Sequence, residues 1–125
     1  MNLNQVTILS EKPAETVEFF EQLGLRRIVD SLPRYARLEC PDGESTLSIN
    51  IAENIVQNDS ITLYFDCDDL DAEVVRLKLL GLKFDEDPTD RAWLWRQAYL
   101  KDPNGNKICL FHAGENRKNP PWRVK

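Results

Sequence analysis

The chain reads as an α+β protein of two tandem βαβββ modules, and three observations predict it. Strand-like alternation passes into helical spacing and then a glycine stop twice along the sequence. A step of 57 carries Leu23, Gly24 and Leu25 onto Leu80, Gly81 and Leu82, and Val6, Ile8, Val17 and Phe20 onto Leu63, Phe65, Val74 and Leu77. The turn Pro41, Asp42, Gly43 has its counterpart in Pro103, Asn104, Gly105, at an offset of 62. The expected organisation is one domain over 1–113, with modules of about 1–56 and 57–113, followed by an extended tail over 114–125.

Each element has a local reason. Asn4 to Leu9 alternates, with Val6 and Ile8 on one face and Gln5, Thr7 and Leu9 on the other, which predicts a half-buried strand. Pro13 suits the first turn of a helix, Val17, Phe20 and Leu23 recur at helical spacing, and Gly24 ends it. Leu25 to Val29, Tyr35 to Cys40 and Thr46 to Ile51 are the next three strands, the last entered through Pro41, Asp42 and Gly43. In the second module Ile61 to Cys67 is a strand, Asp68 or Asp69 caps a helix carrying Val74, Leu77 and Leu80, and Gly81 stops it. Leu82 to Phe84 begins a strand. Asp85 to Trp93 is polar, contains Pro88 and is expected to be a loop. Leu94 to Lys101 and Lys107 to Phe111 form a hairpin around Asp102, Pro103, Asn104, Gly105 and Asn106. There Pro103 presets φ, and Asn104 and Gly105 tolerate the left-handed region.

Composition bounds the function. Sixteen basic against 21 acidic residues, net −5 in 125 residues, lack the basic footprint of a nucleic-acid binder and favour a neutral or cationic ligand. Cys40, Cys67 and Cys109 form no CxxC pair and are odd in number, which points to a reducing, cytoplasmic setting. No apolar run approaches membrane-spanning length, so no membrane partner is expected.

A βαβββ module covers one face of its sheet with its helix and leaves the other to be covered by a second module or a second chain. Either arrangement leaves a cleft as the natural pocket for a small organic ligand, and the assembly expected is a homodimer. Tyr35, Tyr64, Trp93, Trp95 and Phe111 are the aromatic candidates for it, and Arg37 and Asp66 the charged ones, because such rings stack on planar or cationic groups. Core filling competes with that role for each ring, and a bulge between Arg91 and Arg96 would exchange Trp93 and Trp95 for Leu94 and Arg96. Asp66 shares the parity of Thr62 and Tyr64; a solvated strand end is its alternative. Cys109 would need a neighbouring base to act as a nucleophile, and His112, the only histidine, has the opposite parity in an unbroken strand. Cys109 is therefore expected to be a small buried residue. In the tail, Trp122 beside Pro120 and Pro121 points to docking, on the domain's own surface or over a partner's cleft, with a frayed terminus as the alternative.

Three stretches, QVTILSEKPAETVEFFEQLGL, ITLYFDCDDLDAEVVRLKLLGLKF and DPNGNKICLF, together resemble the vicinal oxygen chelate superfamily of glyoxalases, bleomycin-resistance proteins and extradiol dioxygenases over residues 3 to 111. The resemblance implies a curved mixed sheet with helices on its outer face. It also implies a metal held by His or Gln on the first strand, His on the fifth and Glu on the last. These positions fall on Gln5, Thr62 and Cys109, of which only Gln5 fits, so no metal and no other cofactor is expected. The preferred reading is a metal-free small-molecule binder similar to the bleomycin-resistance branch, with Gln5, Thr7, Thr62 and Cys109 joining the aromatic and charged residues as ligand contacts. The alternatives are a lyase, isomerase or dioxygenase using one divalent metal with Gln5, Asp66 and Cys109 as atypical ligands, and a structural or regulatory module that binds no ligand.

Overall fold

The computed structural model describes residues 1–57 and 59–125. Its elements run β1 (Gln5–Ser10), α1 (Pro13–Gln22), β2 (Arg26–Ser31), β3 (Tyr35–Glu39), β4 (Thr46–Ile51), β5 (Thr62–Asp66), α2 (Leu70–Leu79), β6 (Phe84–Asp90), β7 (Arg96–Lys101) and β8 (Lys107–His112). The first four strands form one mixed sheet in the order β1-β4-β3-β2, and the last four another in the order β5-β8-β7-β6. In both, the strand before the helix pairs parallel with the last strand of its module and the remaining pairs are antiparallel. This is the expected α+β arrangement of two βαβββ modules.

The repeat extends to the helix ends. Both helices have ten residues, and the 57-residue step carries the bounds of α1 onto those of α2. Gly24 and Gly81 take φ of +108° and +97°, a left-handed region that costs glycine little. Each closes the same cap, in which Leu25 N–H donates to Phe20 O and Leu82 N–H to Leu77 O, both at 3.1 Å. The N-termini differ. Asp69 accepts from Ala72 N at 3.1 Å, whereas Lys12 offers α1 no side-chain cap and Ser10 Oγ accepts from Lys12 N at 2.9 Å.

Contacts divide the chain into two compact units, the first Met1–Gln57 with Asp102–Gly105, the second Asn58–Lys101 with Asn106–Lys125. In the first, Val17 and Phe20 of α1 are buried with Ala36, Leu38, Leu47 and Ile49 of the sheet. In the second, Leu70, Val74 and Leu77 of α2 are buried with Ala98, Leu100, Ile108 and Leu110. The turn Asp102–Gly105 completes the first unit. Asn104 Nδ2 donates to the buried Thr16 Oγ1 at 3.0 Å, Thr16 and Ser10 share a 2.8 Å hydrogen bond, and Gln57 Nε2 donates to Gly105 O at 3.2 Å.

Two expectations need correction. Asp85 to Asp90 is strand rather than loop. It lies at a sheet edge and its register shifts twice, between Phe84 and Glu86 and between Glu86 and Thr89, which is where a strand tolerates Pro88. As a result β7 begins at Arg96 and not Leu94, and Arg91 to Trp95 makes the turn, with Leu94 at φ +67°. The tail, expected to be extended, opens with a 3₁₀ helix at Gly114–Arg117. Among the described residues no helix is long and apolar enough to cross a membrane.

Candidate functional site

The candidate residues sit on two sheet faces, each on the side opposite its unit's helix core. On the second unit, cross-strand register sets Tyr64 beside Cys109, Asp66 beside Phe111, Gln97 beside Phe111 and Tyr99 beside Cys109. Trp95, just before β7, lies stacked on Phe111, with ring centroids 4.6 Å apart and planes 16° from parallel. Tyr64 meets both edge-on, at 6.1 Å from Trp95 and 5.9 Å from Phe111. Phe111 is buried while Tyr64 is 51% exposed, so the group has a floor and an open wall. The indole Nε1 of Trp95 donates to Asn116 O of the 3₁₀ turn at 3.3 Å. The tail thus docks on its own unit, and it does so through Asn116, while Trp122 is exposed.

Beneath the rings lies a buried polar pair. Gln97, 2% exposed, donates through Nε2 to Cys109 Sγ at 3.4 Å and to Tyr99 Oη at 3.5 Å. Its Oε1 is buried and, among the described residues, without a partner. Burial pushes the Cys109 thiol up, against the opposing effect of its hydrogen bonds to Tyr99 and Gln97. Burial pushes the neighbouring Tyr99 phenol up to about 12, with the Cys109 and Tyr64 charges adding to it. Cys109 is fully buried, as expected from sequence, and that burial works against the thiolate a nucleophile needs.

On the first unit the corresponding face is polar. Arg37 and Ser48 are direct cross-strand neighbours, as are Thr7 and Ser48, and Gln5 and Thr46. Tyr35 Oη and Ser48 Oγ lie 2.7 Å apart, and Arg37 Nε donates to Tyr35 Oη at 3.0 Å. Thr46 Oγ1 donates to Gln5 Oε1 at 2.9 Å. Gln5 and Thr7 are exposed, Tyr35 and Arg37 half-buried, and Ser48 is 1% exposed.

The other sequence candidates lie at the margins of these groups or outside them. Trp93 lies in the turn before β7, 45% exposed, with the Arg91 guanidinium 5.8 Å from its ring centroid. Asp66 is exposed at the end of β5, and Thr62 is half-buried at its start. His112 Nδ1 lies 2.9 Å from Cys67 O, away from Cys109 as its parity requires. Sequence reasoning missed Gln97, Tyr99 and Ser48. Alternation along RQAYLK and TLSINI puts each on the right face, but nothing marks a glutamine or serine there as buried.

The donors at the three positions that the resemblance implies do not fit a divalent metal. Gln5 offers a neutral amide already engaged by Thr46, Thr62 is a weak ligand, and Cys109 is held as the thiol. Among the described residues no group of three His, Cys, Asp or Glu side chains could hold an ion.

The family model of the Glyoxalase/Bleomycin resistance protein/Dioxygenase superfamily matches residues 2–110. Among solved structures, a glyoxalase/bleomycin resistance protein/dioxygenase family enzyme from Burkholderia phytofirmans PsJN superimposes with a TM-score of 0.77 at 22% identity, covering 90% of this chain and 99% of its own. A glyoxalase/bleomycin resistance protein/dioxygenase from Nocardioides gives 0.79 at 17%, covering 100% and 90%. A lactoylglutathione lyase from Agrobacterium tumefaciens gives 0.73 at 16%, covering 89% and 92%. No curated protein matches. On the family match over residues 2–110, the chain belongs to the glyoxalase/bleomycin resistance/dioxygenase superfamily.

Proposed function

We propose that this protein is a small-molecule-binding member of its superfamily that works without a metal, taking a planar organic ligand, preferably cationic, against the rings of Tyr64, Trp95 and Phe111. The observation that carries this reading is the ring group itself: a stacked pair with a third ring nearly at right angles and half exposed, two of the rings on strands and Trp95 at the foot of a third. Such a group offers π faces to a flat cation, and the exposed Asp66 carboxylate on the same strand face and the net charge of −5 favour a positive guest. The donor chemistry at Gln5, Thr62 and Cys109 supports sequestration over metal-assisted turnover. The protein acts, in this reading, as a homodimer in the cytoplasm.

The test is a titration of a planar aromatic cation such as proflavine, read by tryptophan fluorescence and by calorimetry, beside metal analysis of protein purified without chelators. Saturable binding that weakens about tenfold or more in Trp95→Ala is expected, as is the absence of a stoichiometric ion. Equal affinity in Trp95→Ala, or one divalent ion per chain supporting turnover of a glyoxalase-type substrate, overturns the reading.

A further inference from the structure

We infer that the first unit carries an independent oxyanion site, in which the free nitrogens of Arg37 and the hydroxyl of Tyr35 take a carboxylate or phosphate group on the open sheet face. The argument begins with a half-buried arginine that lacks a counterion. The ion pairs of the described residues engage Arg26, Arg27, Arg76, Arg91 and Arg96, and none engages Arg37. Its single hydrogen bond among the described residues uses Nε, directed at Tyr35 Oη, which leaves both Nη atoms uncommitted. A guanidinium removed in part from water and left without an anion is costly, and its planar fork matches the two oxygens of a carboxylate or phosphate.

The surroundings fix this fork in place. Arg37 and Tyr35 lie two residues apart on β3, a central strand paired on both sides, so both side chains leave the same face. Tyr35 is braced by Ser48 at 2.7 Å, and Ser48 is itself 1% exposed on the neighbouring central strand β4. When Ser48 donates to Tyr35, the phenol accepts from both Ser48 and Arg37, and its own proton points to a third acceptor that the described residues do not supply. The hydrogen bond with Ser48 above all, then Arg37 and the charge of Arg34, holds the Tyr35 phenol below the usual tyrosine range against the opposing effect of burial.

The Arg37 guanidinium carbon lies 5.7 Å from the Tyr35 ring centroid, and among the described residues no carboxylate on this face pairs with it. Gln5 and Thr46 bond one another, and Thr7 and Asn50 are neutral. From β2, Val29 and Ser31 stand opposite Arg37 and Tyr35. Glu39, the next residue of that parity on β3, is paired with Arg26 at 3.3 Å. In a chain of net charge −5, a half-buried arginine on a central strand with no ion pair among the described residues marks a place for an anion brought from outside.

The test is a titration of the ¹⁵N-labelled protein with inorganic phosphate in one arm and benzoate in the other, at constant ionic strength set with chloride. It follows the Arg37 Nε–H resonance and the ultraviolet ionisation of Tyr35, the latter isolated by difference against Tyr35→Phe. We expect saturable shifts of Arg37 in at least one arm, a rise of the Tyr35 ionisation pH when the anion is bound, and affinity about tenfold or more weaker in Arg37→Gln. The arm that binds more tightly separates phosphate from carboxylate. Tyr35→Phe keeps the ring and so reports binding should Arg37→Gln fail to fold. It is expected to weaken binding severalfold. No saturable shift in either arm, or shifts matched by chloride alone, overturns the inference. The aromatic site on the second unit is read by tryptophan fluorescence, so either site can fail while the other stands.

Discussion

Single residues decide which chemistry this fold can carry. At Cys109 the register of a regular strand puts the thiol under Tyr99 and Gln97, where burial keeps it protonated. That much is legible in sequence, because strand parity and the lack of a histidine on the same face follow directly from the order of residues. Ser48 and Gln97 are not legible: a small hydroxyl or an amide has the same alternation signature whether it is solvated or buried. Cys67 gives a prediction with a clear sign. Burial first, then Glu73 and Asp66, push its thiol from 9.0 up to about 11, so between those values the unfolded chain has lost a proton that the folded chain keeps. Stability present below pH 9.0 is then lost as pH rises towards 11, and Tyr99, raised from 10.0 to about 12, extends the loss. Thermal unfolding followed by circular dichroism is expected to show a falling midpoint across this window, with a shallower fall in Cys67→Ala.

At the scale of elements, the two helices and their glycine stops are read from sequence with small errors, because caps depend on local residue types that recur in both modules. Edge strand β6 was not readable. Its tolerance of Pro88 and of alternating acids depends on having no partner on one side, which is a property of sheet order. The dissimilar N-termini allow a test of what local capping contributes. Asp69→Ala removes an exposed side-chain cap and is expected to destabilise by about 1 kcal/mol in denaturant unfolding. Lys12→Ala, at the matching place in the first module, has no side-chain cap to lose and should cost less.

For the whole molecule, family membership was legible because it rests on a repeat spread over most of the chain, which no single substitution erases. Ligand and assembly rest on a few side chains each, and the sequence marks those only as candidates. Large apolar residues remain exposed on sheet strands, among them Leu9 at 50%, Ile28 at 48% and Ile51 at 46%. Covering such surface is the reason for the homodimer in the proposed function. Sedimentation analysis over a dilution series is expected to give a dimer, with Leu9→Lys shifting it towards monomer; a monomer throughout would remove that part of the reading.

The turn at Asp102–Gly105 has a consequence for how the gene could be divided. A chain severed after Gln57 leaves neither fragment with a complete first unit. The short fragment would expose Thr16 and lose Asn104 as its partner, while the long one would carry the missing turn. The duplication that is plain in the sequence is therefore not a seam. The two halves can be aligned residue by residue, yet complementation of both fragments, and not expression of either alone, is what should restore the fold.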